Sequence, residues 1–180
     1  MTSPRITPLP IDEWDDETRA ALGGRSINIF GTLAHHPKLL KRWLVFGNHV
    51  LAKSTLSGRD RELLILRTGW NARSPYEWGQ HVVIGRAEGI TDAEITRIAD
   101  GPDATGWPAN EALLLRAADE LHADQCIGDA TYAGLVEHYD TQQLIDIVFA
   151  VGQYMLVSMA LNSLGVERDD GATGVPIPER

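Results

Sequence analysis

The chain has 180 residues, 43% of them hydrophobic, with a net charge of −9 and a pI near 5.0. That is enough for one domain with a core that needs neither disulfides nor metal to fold. The acidic balance argues against a nucleic-acid partner, since phosphate recognition rests on clustered Lys and Arg. The single cysteine, Cys126, can form no intramolecular disulfide, and its setting reads as a helix-end packing position.

Residues 1–11 carry Pro4, Pro8 and Pro10 and read as an extended arm lying on the body or on a neighbouring subunit. A short helix follows, with Trp14, Thr18 and Leu22 on one face and Gly23-Gly24 as its stop. A helical turn through Ile29 and Phe30 leads to His36-Pro37, where Pro37 begins a helix to Lys53 with Leu40, Trp43, Leu44, Gly47 and Leu51 as its packing stripe. Next comes a pair of helices. Ser57 with Asp60 three residues on is the N-cap of the first, and Leu63, Leu64, Leu66 and Trp70 recur along it at helical spacing. Ser74-Pro75-Tyr76-Glu77 opens the second, with Ser at N-cap, Pro at N1 and Glu at N3 as a capping box, and Gly89 closes it.

Glu77 and His81 are four residues apart, so the spacing places a carboxylate and an imidazole on one face near a helix N-terminus. Thr91 with Glu94 starts a further helix ended by Gly101-Pro102, and Pro108 starts one through His122. A shorter helix ends near Tyr139. Asp140 with Gln143 then begins a long one to about Leu164, apolar nearly all round and expected to be buried on most sides. Asp146, Gln153 and Asn162 argue against its crossing a membrane, and no basic stretch followed by an apolar run opens the chain, so the expectation is a cytoplasmic protein. No stretch alternates as a strand would, and the fold class is all-α. Residues 12–165 form the helical domain, and 166–180 a tail on the surface or on another subunit.

The spacing Glu62-x11-Ser74-x2-Glu77-x3-His81, within R-E-L-L-I-L-R and Y-E-W-G-Q-H, resembles the core of the carboxymuconolactone decarboxylase/AhpD-like family. In the AhpD branch the pattern is E-x11-C-x2-C-x3-H, in which a Glu and a His relay protons to a redox cysteine pair. The resemblance implies a multi-helix domain built on the central helix pair, assembly as trimers, dimers or hexamers, and proton-transfer roles for Glu62 and His81. Ser74 and Glu77 stand at the two cysteine positions. A hydroxyl and a carboxylate form no disulfide and no sulfenic acid, so thiol peroxidase chemistry is not expected at this site.

The expected activity is cofactor-free proton transfer by Glu62, Glu77 and His81 on a small organic acid, lactone or carbonyl compound, with decarboxylation as the reaction the family name suggests. Ser74, Tyr76 and Trp78 are the candidate substrate-binding residues, a hydroxyl beside two aromatic walls. The rival is a non-catalytic helical oligomer that binds a hydrophobic ligand or partner and keeps Ser74 and Glu77 only as helix caps. A third reading is another lyase, hydrolase or isomerase on the same scaffold. No metal is expected, because Glu-x3-His lacks a second histidine at ligand spacing, and no loop around Ser74 resembles a nucleophile elbow.

Overall fold

The computed structural model describes residues 4–169 and 174–179. Residues 1–3 of the expected arm and 170–173 and 180 of the expected tail lie outside that range. Among the described residues the chain forms helices and no strands. A short 3-10 turn at Ile11–Glu13 precedes α1 (Asp16–Leu22), α2 (Asn28–Leu33), α3 (Pro37–Ala52), α4 (Gly58–Asn71) and α5 (Pro75–Ala87). Then come α6 (Asp92–Asp100), α7 (Ala109–Asp124), α8 (Asp129–Val136) and α9 (Thr141–Leu164).

The fold is arranged around α4, whose four consecutive residues Leu63, Leu64, Ile65 and Leu66 are all fully buried. A helix that is apolar on both flanks must be covered on both. Leu64 and Ile65 join α7 and α9 through Leu114, Ala117, Ile147 and Val151, while Leu63 and Leu66 join α5 and α6 through Trp78, Val82, Ile95 and Ile98. The second helix of the central pair runs back along the first. An added Cβ on Gly69 would lie 3.5 Å from Trp78 N, and one on Gly85 would lie 3.2 Å from Leu66 Cδ1 and 3.9 Å from Glu62 Cβ. Gly85 therefore lets α5 approach α4 next to Glu62.

Three of the predicted N-caps form as read. Ser57 accepts from Asp60 N, and Thr91/Glu94 and Asp140/Gln143 are complete capping boxes. At Ser74 the helix starts where expected, but the capping box does not form, and the Ser74 hydroxyl is buried without a hydrogen-bond partner. The physical reason is competition, because the Glu77 carboxylate turns to His81 instead of reaching back to the helix start.

Two further expectations are corrected. Cys126 is exposed rather than packed, just beyond Gln125, which ends α7 in the left-handed conformation. Helix α9 is the one helix among the described residues long and apolar enough to cross a membrane. Only one of its faces is core, through Ile147, Ala150, Val151, Tyr154, Val157 and Leu161, while Ile145, Val148, Phe149, Leu156 and Met159 are exposed.

Among the described residues, the segments flanking the helices lie on the body. Arg5 and Ile6 donate backbone hydrogen bonds to Leu164 O at the end of α9, and Leu9 N donates to Gly31 O. Beyond α9, Val166 is buried, and Asp169 accepts hydrogen bonds from Asn28 N, the Tyr76 hydroxyl and Gln80 Nε2.

Candidate active site

Helical periodicity divides α5 into two working faces. Tyr76, Glu77, Gln80, His81 and Ile84 face a cavity of about 320 Å3, whereas Trp78, Val82 and Gly85 face α4 and α6. The cavity is completed by Arg25, Ile27, Ile29 and Phe30 around α2, by Trp43 and Asn48 from α3, and by Gln153, Tyr154 and Val157 from α9.

His81 is held at both ring nitrogens. Nδ1 lies 2.6 Å from Glu62 Oε2 and Nε2 lies 3.0 Å from Glu77 Oε1, and all three side chains are almost fully buried. Burial alone would lower the imidazole pKa, but the charge of Glu62 and the hydrogen bonds to Glu62 and Glu77 outweigh it and raise His81 to about 10. Near neutral pH the ring is therefore an imidazolium that donates to a carboxylate on each side. Glu62 does not line the cavity. It sits behind His81, where its other oxygen accepts from Arg61 Nε at 3.2 Å, and Arg61 reaches on to Glu88 Oε1 at 3.4 Å. Glu77 is the carboxylate on the cavity side, and its Oε2 has no hydrogen-bond partner among the described residues.

Tyr154 packs edge-on against His81 with ring centroids 4.8 Å apart. Burial, followed by the negative charges of Glu77 and Glu62, raises its hydroxyl pKa well above the ordinary tyrosine value, so it remains a neutral donor. The Tyr76 hydroxyl is already occupied, donating to Asp169 Oδ2 at 2.5 Å and accepting from Ile29 N at 3.2 Å, so Tyr76 gives the cavity a wall. Arg25 lies over Phe30, 5.2 Å from the ring centroid, and has no carboxylate partner among the described residues.

The site residues read from the sequence thus separate. Glu62, Glu77 and His81 come together, and Tyr76 lines the cavity beside them. Ser74 and Trp78 do not reach it. Ser74 is buried at the α4–α5 turn, and Trp78 packs on Trp70 with centroids 5.1 Å apart. One residue beyond Glu77 is about 100° further round the helix, which turns Trp78 toward α4. Gln80, three residues after Glu77, was within reach of the same periodicity argument; Arg25 arrives from the connection between α1 and α2, and Asn48, Gln153 and Tyr154 from helices whose placement no local pattern reveals. Among the described residues no group of three or more His, Cys, Asp or Glu side chains could hold a metal ion.

Comparison with known proteins agrees with this architecture. The carboxymuconolactone decarboxylase family model matches residues 37–120, from the start of α3 into α7. No match was found among curated proteins. Of solved structures, an AhpD-core, peroxidase-related protein from Ralstonia eutropha JMP134 superposes with a TM-score of 0.83 at 20% identity, covering 94% of each chain. An uncharacterised peroxidase-related protein from Silicibacter sp. TM1040 gives 0.81 at 18%, covering 94% of this chain and 95% of that one. The debrominase Bmp8, in a complex with 2,3,4-tribromopyrrole, gives 0.76 at 12%, covering 91% of each chain. Such identities speak to fold, which these proteins share with this chain. Residues 37–120 thus match the carboxymuconolactone decarboxylase family model and the chain has the AhpD-like fold, with a single cysteine that leaves it without a Cys-x-x-Cys pair.

Proposed function

We propose that the protein is a proton-transfer enzyme acting on a small organic acid, lactone or carbonyl compound, with Glu77 as the group that meets the substrate and His81 as the group that charges and orients it. The observation that supports this reading most is the imidazole clamped between two carboxylates, only one of which faces a cavity. Glu77 Oε1 is held by His81, which leaves Oε2 to take or return a proton at a carbon beside a carbonyl. An enolate formed there, by proton abstraction or by loss of carbon dioxide, would lie in the field of the imidazolium and within the reach of a neutral phenol at Tyr154. Glu62 is a positioning residue in this scheme. It compensates the buried ring charge and fixes the ring plane.

The relatives whose names refer to peroxidase or debrominase activity share the scaffold, but the redox step of a cysteine pair has no residues here, because Cys126 lies beyond α7 and Ser74 and Glu77 occupy the motif. The test is Glu77→Gln, which preserves shape and removes the proton carrier. In deuterated water, a panel of carbonyl acids and lactones is followed by proton NMR for exchange or loss of the proton next to the carbonyl and for release of carbon dioxide. Glu77→Gln is expected to lower the observed rate at least tenfold, about 1.4 kcal/mol of barrier, with Tm within about 2 °C of the wild type. An unchanged rate would reduce Glu77 to a structural partner of His81.

A further inference from the structure

A second cavity of about 190 Å3 adjoins the first, and nothing in the proton-transfer chemistry uses it. Ile29, Trp43 and Val157 line both cavities, so the two chambers meet at these side chains. Beyond them the second chamber is built from aliphatic residues, among them Leu33, Leu39, Leu156, Ala160 and Leu164. Its single hydroxyl, that of Thr32, donates to Asn28 O within α2. At the junction, Trp43 Nε1 is buried without a hydrogen-bond partner, a donor available to a ligand oxygen. The first chamber has a different character, with Glu77, His81, Gln153, Asn48 and the guanidinium of Arg25 on its walls.

We infer that the substrate is an amphipathic acid, with its reacting carboxylate or carbonyl end beside Glu77 and His81 and an alkyl or aryl tail in the aliphatic chamber. The inference rests on the proton-transfer reading of the first chamber and adds the class of compound to it. Size supports it: a dry aliphatic cavity of about 150 Å3 holds a benzene ring, so 190 Å3 takes a tail of about six carbons. Charge supports it as well, because the Arg25 guanidinium has no carboxylate of its own among the described residues. Leu39 is half exposed, which leaves the chamber a way in on its α3 side.

The test is calorimetric titration of the intact protein with straight-chain carboxylates from acetate to decanoate. Affinity is expected to rise about fourfold per methylene, the equivalent of about 0.8 kcal/mol, and to level off once about six tail carbons are placed. Ala160→Trp fills the chamber from α9 and should flatten the series beyond butyrate while leaving acetate within twofold. Should that variant fold poorly, Leu156→Ala, at a half-exposed position, should carry the levelling point to longer chains. Glu77→Gln should keep the chain-length slope even where turnover is lost, which separates this inference from the reading it rests on. A series without slope overturns the tail chamber alone, and binding of no acid overturns both. Loss of self-assembly in Ala160→Trp with the slope intact would assign the chamber to contact between copies and overturn the inference.

Discussion

His81 would be costly to bury if it were unpaired, since an uncompensated ion inside a protein loses several kcal/mol of hydration. Glu62 and Glu77 make it tolerable, and the consequence is a measurable linkage. The folded ring is raised to about 10 against an ordinary value near 6.5. A raised base contributes stability that is fully present below the unfolded pKa and is lost as pH climbs through the folded one. Nitrogen NMR is therefore expected to show the ring doubly protonated across pH 6 to 9, and Tm should decline between about pH 6.5 and 10, with Glu62→Gln lowering the ring pKa. A ring that titrates near 6.5 would contradict the clamp. At this scale the sequence was informative about partners that share a helix and silent on direction. The four-residue spacing of Glu77 and His81 placed the two on one face, whereas the loss of the Ser74 capping box follows from a competition with His81 that S-x-x-E cannot express.

Among the elements, α2 and the arm before it show how a short segment can shape the cavity from behind. Leu9 N donates to Gly31 O, Trp14 Nε1 donates to Leu9 O at 2.9 Å, and the neighbouring Ile29 and Phe30 form part of the cavity wall. A Cβ on Gly31 would fall 2.8 Å from Pro8 Cβ and 2.9 Å from Leu9 O, so one chain must move. Gly31→Ala is expected to cost roughly 1–3 kcal/mol and several degrees of Tm. It should also speed tryptic cleavage after Arg5, whose backbone N–H is held at Leu164 O. Cleavage and melting both unchanged would show that the arm is not fixed at Gly31. Helix existence was legible because the signals were local: glycine stops after α1 and α5, prolines as the first residues of α3 and α5, and side-chain caps at Ser57, Thr91 and Asp140. The second face of α9 was not, since an apolar helix reads alike whether its outer side is covered by the same chain or open.

For the whole molecule, that open face is the feature a single chain leaves unresolved. Ile145, Val148, Phe149, Leu156 and Met159 lie exposed along α9, and Phe46 of α3 meets Phe149 edge-on with centroids 6.1 Å apart. Contiguous apolar surface of this kind is a recognised mark of association, and we propose that copies of the chain cover it. Sedimentation at micromolar concentration should give an assembly larger than 19.8 kDa, and Met159→Glu should shift it toward the monomer; a wild-type monomer would remove the idea. A different consequence follows from the row of charges that runs inward from half-exposed Glu88 through Arg61 and Glu62 to His81 and Glu77. It resembles a wire for protons leading to the surface, but one of its links is a guanidinium, which does not give up its proton in a protein. The row therefore conducts no hydrogen ion past Arg61. It is a dead end at the back of the site, so under the proton-transfer reading proposed above a hydrogen taken up by Glu77 exchanges with water only through the cavity.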